Sequence, residues 1–272
     1  MHNYIPPKRF FPYLSWQQIE QLPDKEKCLI IQPIGAIEQH GPHLPTVVDA
    51  AIATAVVGQA LSQLDESIAA YALPTLCYGK SNEHAQFPGT ITLSATTLMS
   101  VLTETAQSLY KSGFRKLVFI NGHGGQPQVL EIVARDLRQQ FHDLMVFPHF
   151  VWGAPHRVKE IVGTEEYERG IHAGDVETSV MLTLMGEQVE MDQAVREFPV
   201  PFAPDSLLSL EGNLPTAWMM QDLSYSGVVG DATVASAEKG QAILDSVAAG
   251  WVKVFEEIYR FDGLRPQDSA TG

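Results

Sequence analysis

Apolar and polar positions alternate along the chain in blocks that predict strands and helices in turn. The continuous apolar run Cys28–Ile34 is typical of a strand buried on both faces. Lys116–Ile120 and Leu144–Val151 have the same character, and Ala69–Cys77 is a further strand candidate. Longer segments with helical character separate these runs. This order predicts an α/β layer fold with a mainly parallel sheet flanked by helices.

The segments between and after the strands predict one short helix and five longer ones. Ser15-Trp16-Gln17-Gln18 matches a capping box and predicts a short helix towards Leu22. Longer helices are predicted over Asp49–Leu64, from the cap Ser94 to Ser112, and over Val129–Phe141, Asp175–Met185 and Thr233–Tyr259. Residues 188–230 look irregular, and residues 263–272 are expected to be a frayed tail. With no internal repeat or linker, we expect one domain over residues 1–272.

Charge and composition narrow the class of protein. The net charge of −14 disfavours nucleic acid and anionic membranes as partners. No apolar run is long enough for a membrane span, and the N-terminal segment lacks the pattern of a signal peptide, so we expect a cytoplasmic protein. Cys28 and Cys77 both lie in apolar segments. One disulfide is possible, but two reduced core cysteines are the favoured interpretation.

Titratable side chains follow two predicted strands at the point where each ends. Glu38 and His40 come just after the first strand, and His123 follows the strand Lys116–Ile120. Ligands of open parallel sheets bind beyond the carboxyl ends of the strands. Asp49, at the start of the next predicted helix, could fold back beside Glu38 and His40. Carboxylates with imidazoles suit Zn²⁺, Mn²⁺ or Fe²⁺, although Asp49 could instead be only a helix cap.

Three further stretches carry chemistry with open alternatives. The glycine-rich turn NGHGGQ at residues 121–126 suits a metal ligand better than a phosphate, because it lacks the P-loop lysine. His172 and Glu177 in HAGDVETS could be structural or could bind a metal. His43 is equally a loop residue or a ligand. The loop 80–90, with Ser81 and His84, is either a surface loop or the wall of a pocket.

Five stretches occur in the order EQHGPHLPTVVDA, SNEHAQFPGT, NGHGGQ, HAGDVETS and GVVGDATVASAEKG. In these stretches the chain resembles the creatininase (creatinine amidohydrolase) family over most of its length. The resemblance implies a three-layer Rossmann-like fold and two divalent metal ions (zinc, manganese or iron). It also implies hydrolysis of a non-peptide amide by metal-activated hydroxide, and a homohexamer.

The resemblance also implies a set of metal ligands. Glu38, Asp49 and His123 would hold one ion, and His40 with Asp49 the other, so that Asp49 would bridge the two. In creatininase a carboxylate two residues after the histidine of the Asn-Gly-His turn completes the second site.

In this chain the position two residues after His123 is Gly125, and Glu177 is the residue that could replace the missing carboxylate ligand. His172 is the candidate for stabilising an oxyanion or protonating the leaving nitrogen, and Glu177 is either a ligand or a general base. The expected pocket residues are Ser81, His84, Gly124 and Trp152.

The substrate predicted from this resemblance is a small, cyclic amide such as creatinine. A tryptophan that creatininase carries shortly before the histidine of HxG is missing from EEYERGI, so a formylated or pyrimidine-derived amide is the alternative. A non-catalytic protein that keeps the metal for assembly is a rival, although structural zinc sites are usually built from cysteine and histidine. A nucleotide-binding dehydrogenase is disfavoured because GxGxxG is absent.

Overall fold

The computed structural model of this chain describes residues 4–203 and 205–264. Its main sheet has four parallel strands in the order β2-β1-β3-β4. They are β1 (Leu29–Ile34), β2 (Ala70–Ala72), β3 (Lys116–Asn121) and β4 (Met145–Phe150). A second, antiparallel pair consists of β5 (Arg196–Glu197) and β6 (Gly230–Asp231). The predicted α/β fold with a parallel sheet is confirmed.

Helices connect the strands and extend beyond the sheet. They are α1 (Trp16–Glu20), α2 (Val48–Gln63), α3 (Ala95–Lys111), α4 (Pro127–Gln140), α5 (Val158–Val162), α6 (Thr164–Arg169), α7 (Asp175–Met185), α8 (Met220–Leu223) and α9 (Ala237–Arg260). Among the described residues no helix has the length and apolarity to cross a membrane.

Two apolar clusters cover the two faces of the sheet. On β1, Leu29 and Ile31 join the cluster built with α2, α7 and α9, whereas Ile30 and Ile34 join the cluster built with α3 and α4. Successive strand side chains point to opposite faces, so a strand between two helix layers must be apolar at nearly every position. This explains the unbroken apolar run in the sequence and gives the three layers.

Several predicted boundaries differ from the structure for local reasons. The strand predicted over Ala69–Cys77 ends at Ala72, and only a single bridge between Ile34 and Leu76 follows. Pro74 interrupts this segment, and the Gln32 side chain donates to its carbonyl oxygen at 2.8 Å. The closing helix begins at Ala237 rather than Thr233, because the Ser236 hydroxyl accepts a hydrogen bond from the Lys239 amide and caps it there.

Other predictions from the sequence hold or fall outside the described chain. Ser15 forms the predicted capping box, and Ser94 caps α3. Both cysteines are free: Cys28 is buried, as predicted, but Cys77 is only half-buried. The frayed tail predicted over residues 263–272 lies outside the described residues from residue 265 onward.

Candidate metal centre

Two glycines bring the start of α2 against the ends of β1 and β3. A Cβ atom on Gly35 would lie 2.4 Å from the Ala50 nitrogen, and one on Gly122 would lie 2.4 Å from the Asp49 carbonyl oxygen. Any side chain at either position would therefore push the helix away. The close approach places the Asp49 side chain beside the residues that follow both strands.

The first half of the centre joins Glu38, Asp49 and His123. The Nδ1 atom of His123 lies 3.0 Å from Glu38 Oε2 and 3.3 Å from Asp49 Oδ2. All three residues are buried. Ser81, which is fully buried, donates its hydroxyl hydrogen to Glu38 Oε2 and so fixes this carboxylate from behind.

The second half joins His40, Asp49 and Glu177. His40 Nε2 lies 3.3 Å from Asp49 Oδ1 and 3.7 Å from Glu177 Oε2. The other ring nitrogen, Nδ1, is 3.2 Å from the Glu38 carbonyl oxygen. Because a carbonyl only accepts hydrogen bonds, this contact places a ring hydrogen on Nδ1 and turns Nε2 towards the two carboxylates, which is the orientation that a metal ligand requires.

The residues present fit divalent cations. Three buried atoms of the centre, His40 Nε2, Asp49 Oδ2 and Oε1 of the loop residue Glu83, have no hydrogen bond of normal geometry with any described residue. Buried polar atoms are normally satisfied, so such atoms indicate a missing partner. His40, Asp49 and Glu177 each offer a ligand atom within 4.8 Å of the others. Oxygen and imidazole nitrogen ligands suit zinc, manganese or iron.

The electrostatics of the centre also call for positive charge. Burial lowers the pKa of His40, but the carboxylates of Asp49, Glu177 and Glu38 outweigh burial and raise it to about 9. Burial and the neighbouring Asp49 carboxylate raise the pKa of Glu177 to about 7, against the opposing effect of His40. A cluster that holds a proton on a buried imidazole is one in which a cation is favoured.

Glu83 is a member of the centre that the sequence interpretation missed. Its Oε1 atom lies 2.9 Å from His123 Nε2, and it forms a possible ligand group with Glu38 and His123. A Cβ atom on Gly125 would lie 1.6 Å from Glu83 Oε1. The Glu83 carboxylate therefore occupies space that the glycine leaves free. Of the two alternatives for the loop 80–90, the pocket wall is closer to the structure, because Ser81, Glu83 and His84 are all buried.

The imidazole rings of His172 and His84 also lie at the centre, beside that of His40. Their ring centroids are 4.3 Å apart, and the ring of His172 is 4.2 Å from that of His40. His172 Nε2 lies 2.8 Å from the Gln39 carbonyl oxygen and 3.1 Å from the Gln39 side-chain nitrogen, and Nδ1 faces Glu38 Oε1 at 3.9 Å. Burial and the neighbouring imidazoles of His40 and His84 hold the pKa of His172 well below its usual value.

A cavity of about 1060 Å³ opens over the centre. Gly124, Trp152 and His84 line it, whereas Ser81 does not line it and bonds to Glu38 instead. Phe150 and Trp218 add further aromatic wall.

His43 is buried away from the candidate ligand groups. Its Nε2 atom contacts the Thr178 hydroxyl at 2.8 Å, so of its two alternatives the structure favours a loop residue, bonded to a side chain rather than to backbone.

A parallel α/β sheet with carboxylates and imidazoles gathered at its strand ends defines an α/β protein with a candidate metal centre. The chain belongs to the creatininase family, because the family model described as creatinine amidohydrolase matches residues 12–255. It is therefore a hydrolase of this family.

Relatives of the chain have different named activities. A mycofactocin precursor peptide peptidase of Mycolicibacterium smegmatis is 32% identical over 224 residues, which cover 82% of each chain. The creatinine amidohydrolase of Pseudomonas putida is 29% identical and covers 91% of this chain and 96% of its own. A 3-dehydro-scyllo-inosose hydrolase of Thermotoga maritima is 32% identical and covers 87% of this chain and 80% of its own.

Solved structures of creatininase share the fold. A manganese form superposes with a TM-score of 0.76 at 26% identity, covering 93% of this chain and 99% of that chain. A variant described as the Zn-Zn type superposes with a TM-score of 0.72 at 27% identity, covering 93% and 98%.

Proposed function

We propose that this chain hydrolyses an amide C–N bond with two divalent cations, zinc, manganese or iron, bound at its strand ends. Glu38, Asp49 and His123 would hold one ion, and His40, Asp49 and Glu177 the other. The observation that carries the proposal is the position of Asp49. Its two carboxylate oxygens face two different imidazoles, at 3.3 Å each.

The ions would supply Lewis acidity and could lower the pKa of a water molecule from 15.7 to about 7. The chain's own residues then position the substrate and move protons. Burial and the neighbouring imidazoles hold the pKa of His172 well below its usual value, and its Nδ1 atom faces the centre. It is suited to take a proton at Nδ1 and to deliver it to the leaving nitrogen. The distance of 3.7 Å between Glu177 and His40 supports the ligand role of Glu177 over that of a general base.

We infer that the substrate is a non-peptide amide, with a cyclic amide such as creatinine as the first candidate. The support is the family membership and the relative in Pseudomonas putida. The alternative from the sequence, a formylated or pyrimidine-derived amide, needs the same centre.

A peptide amide is a second candidate, for a separate reason. The cavity of about 1060 Å³ is slightly larger than the range for drug-sized ligands, about 300–1,000 Å³. A substrate larger than creatinine would fill it better, and relatives named as peptidases agree with this.

The test is turnover of an amide panel by the purified, metal-loaded protein. The panel contains creatinine, a formylamino-pyrimidine and short peptides, each assayed with and without a chelator. Hydrolysis of any member that stops on chelation and returns with Mn²⁺ or Zn²⁺ supports the proposal, and the member hydrolysed identifies the substrate class. Turnover that continues in chelator would refute the metal requirement.

Assembly into a homohexamer in the cytoplasm is a further part of the proposal. Large apolar side chains are exposed along residues 198–225, with Val200 at 93%, Leu207 at 81% and Tyr225 at 98% exposure. Apolar side chains grouped in this way favour an interface between subunits. Light scattering of the purified protein would measure the subunit number, and a monomer at micromolar concentration would refute this part.

A further inference from the structure

Glu166 is a buried glutamate whose carboxylate bonds to backbone amides of other elements. It is the one buried residue of α6, and its exposed fraction is 7%. Its neighbours Glu165 and Arg169 are exposed and pair with each other at 2.9 Å, and Glu165 also pairs at the surface with Arg196 at 3.0 Å. Among residues 4–203 and 205–264, no Lys, Arg or His lies within ion-pair distance of Glu166. Burying a carboxylate costs free energy unless hydrogen bonds compensate the loss of water, so Glu166 needs hydrogen-bond donors within the protein.

Both carboxylate oxygens of Glu166 accept hydrogen bonds from the backbone of other elements. Oε1 accepts from the Asp175 amide at 2.8 Å, and Oε2 accepts from the Asp231 amide at 2.9 Å. Asp175 is the first residue of α7, and the N-cap Gly174 has no side chain to satisfy its amides. Glu166 therefore caps α7 from a distance and ties it to β6.

Three glycines make room for this carboxylate. A Cβ atom would lie 2.6 Å from the Glu166 carboxylate if placed on Gly170, 2.0 Å if placed on Gly174 and 2.8 Å if placed on Gly230. These glycines belong to three different segments. The environment is thus shaped around Glu166, and a larger residue at any of the three positions would displace it.

The tied segment carries two residues of the candidate centre. Between His172 and Gly174, Ala173 has a φ of +54°, a conformation that side chains other than glycine rarely adopt. His172 is held to Val229 by backbone hydrogen bonds of 2.8 and 3.2 Å, and the Glu177 carboxylate accepts from the Ala173 amide at 2.6 Å. Contacts on both sides must maintain such a strained turn.

We propose that Glu166 is a positioning residue that holds His172 and Glu177 in register with the metal centre. Its carboxylate holds the start of α7, which directly follows the strained turn at Ala173, against β6. The inference rests on the proposed roles of His172 and Glu177. Loss of the clamp should affect the cation held by Glu177 more than the cation held by Glu38 and His123.

The experiment is a Mn²⁺ titration of chelator-treated wild-type and Glu166→Gln proteins. The amide keeps one acceptor oxygen and loses the other, with little change in volume. Altering residues that support ligands typically costs 10- to 100-fold in metal affinity, so we expect the second equivalent to bind about 10-fold more weakly, while the first stays within about threefold of wild type. The electron paramagnetic resonance signal of a coupled Mn²⁺ pair should weaken in parallel.

Three variants make the result specific. Glu165→Gln removes a neighbouring exposed carboxylate of the same helix and should bind both equivalents normally. Leu130→Ala lowers stability from the other face of the sheet and should also bind both. Gly174→Ala leaves every carboxylate intact but displaces Glu166, so it should reproduce the loss of the second equivalent. If Glu166→Gln does not fold, the titration of Gly174→Ala decides.

Normal binding of both equivalents by Glu166→Gln and Gly174→Ala would overturn the inference. An equal weakening of both equivalents, matched by Leu130→Ala, would overturn it as well. The titration does not depend on turnover. If the wild-type protein binds two Mn²⁺ ions but hydrolyses no amide of the panel, the proposed activity is refuted. The effect of Glu166→Gln on Mn²⁺ affinity can still be measured in that case.

Discussion

Replacing Asp49 tests the arrangement of the centre most directly. Asp49 Oδ1 faces His40 and Oδ2 faces His123, whereas the Glu177 carboxylate forms an ion pair with just one imidazole of the described residues, that of His40. Asp49→Ala should therefore abolish binding of both cations, and Glu177→Ala should abolish one. Wild type should bind two equivalents, measured by elemental analysis after dialysis against a metal buffer.

Asp49→Ala should also remove the dependence of thermal stability on bound cations. A ligand at 100 times its Kd stabilises the folded state by about 2.7 kcal/mol, so two cations contribute about 5 kcal/mol. For chains of this size each kcal/mol shifts Tm by roughly 2–4 °C, which gives a loss of roughly 10–20 °C when a chelator is added to wild type. In Asp49→Ala the chelator should change Tm by less than about 2 °C, because the linkage term disappears with the cations.

Calorimetry with and without chelator measures this difference. Glu165→Gln is the matched control, since it removes an exposed carboxylate outside the centre and should keep the full shift. An Asp49→Ala protein that retained two equivalents of metal, or the full chelator-dependent shift in Tm, would refute the bridging assignment.

Three other predictions test separate parts of the structure. His172→Ala should retain both cations and lower kcat by about 100-fold or more, because it removes the proton carrier, and metal analysis beside kinetics checks this; a lost cation would contradict it. Leu130→Ala should lower the free energy of unfolding by about 2–5 kcal/mol, because this side chain of α4 is buried against α3 and the sheet. Denaturant unfolding measures the change, and a loss of less than about 1 kcal/mol would contradict the prediction. Burial raises the pKa of the Cys28 thiol to about 12, so this thiol should stay protonated and unreactive towards a disulfide reagent at pH 8 in the native protein. After unfolding, Cys28 and Cys77 should both react. Rapid modification of Cys28 in the native protein would contradict this prediction.

Much of the fold could be predicted because its signals are local. The apolar run at residues 28–34 required a strand covered on both faces, and the serines at 15 and 94 cap helices within three residues of themselves. The helix Asp175–Met185 was predicted with its observed bounds. The missed elements, α5, α6, α8 and the pair β5 and β6, are short, and their positions depend on contacts with distant segments rather than on a repeating pattern.

The centre was predicted only as far as strand ends indicate proximity. Glu38, His40 and His123 follow neighbouring strands, so their meeting follows from a parallel sheet. Glu83 could not be placed in this way, because it comes from a loop that follows no observed strand directly. A glycine at position 125 was the one signal, since it left space for a side chain from elsewhere.

The sequence by itself determined most of the strands and longer helices, and which strand ends carry carboxylates and imidazoles, because burial and side-chain period produce a local pattern of apolar and polar residues. Only the tertiary structure decided that Glu83 fills the space beside Gly125 and that Glu166 clamps α7 to β6. Those contacts join residues 42 and 65 positions apart, as from Glu83 to Gly125 and from Glu166 to Asp231. Such distances are set by how whole layers pack, and no short stretch of sequence specifies them.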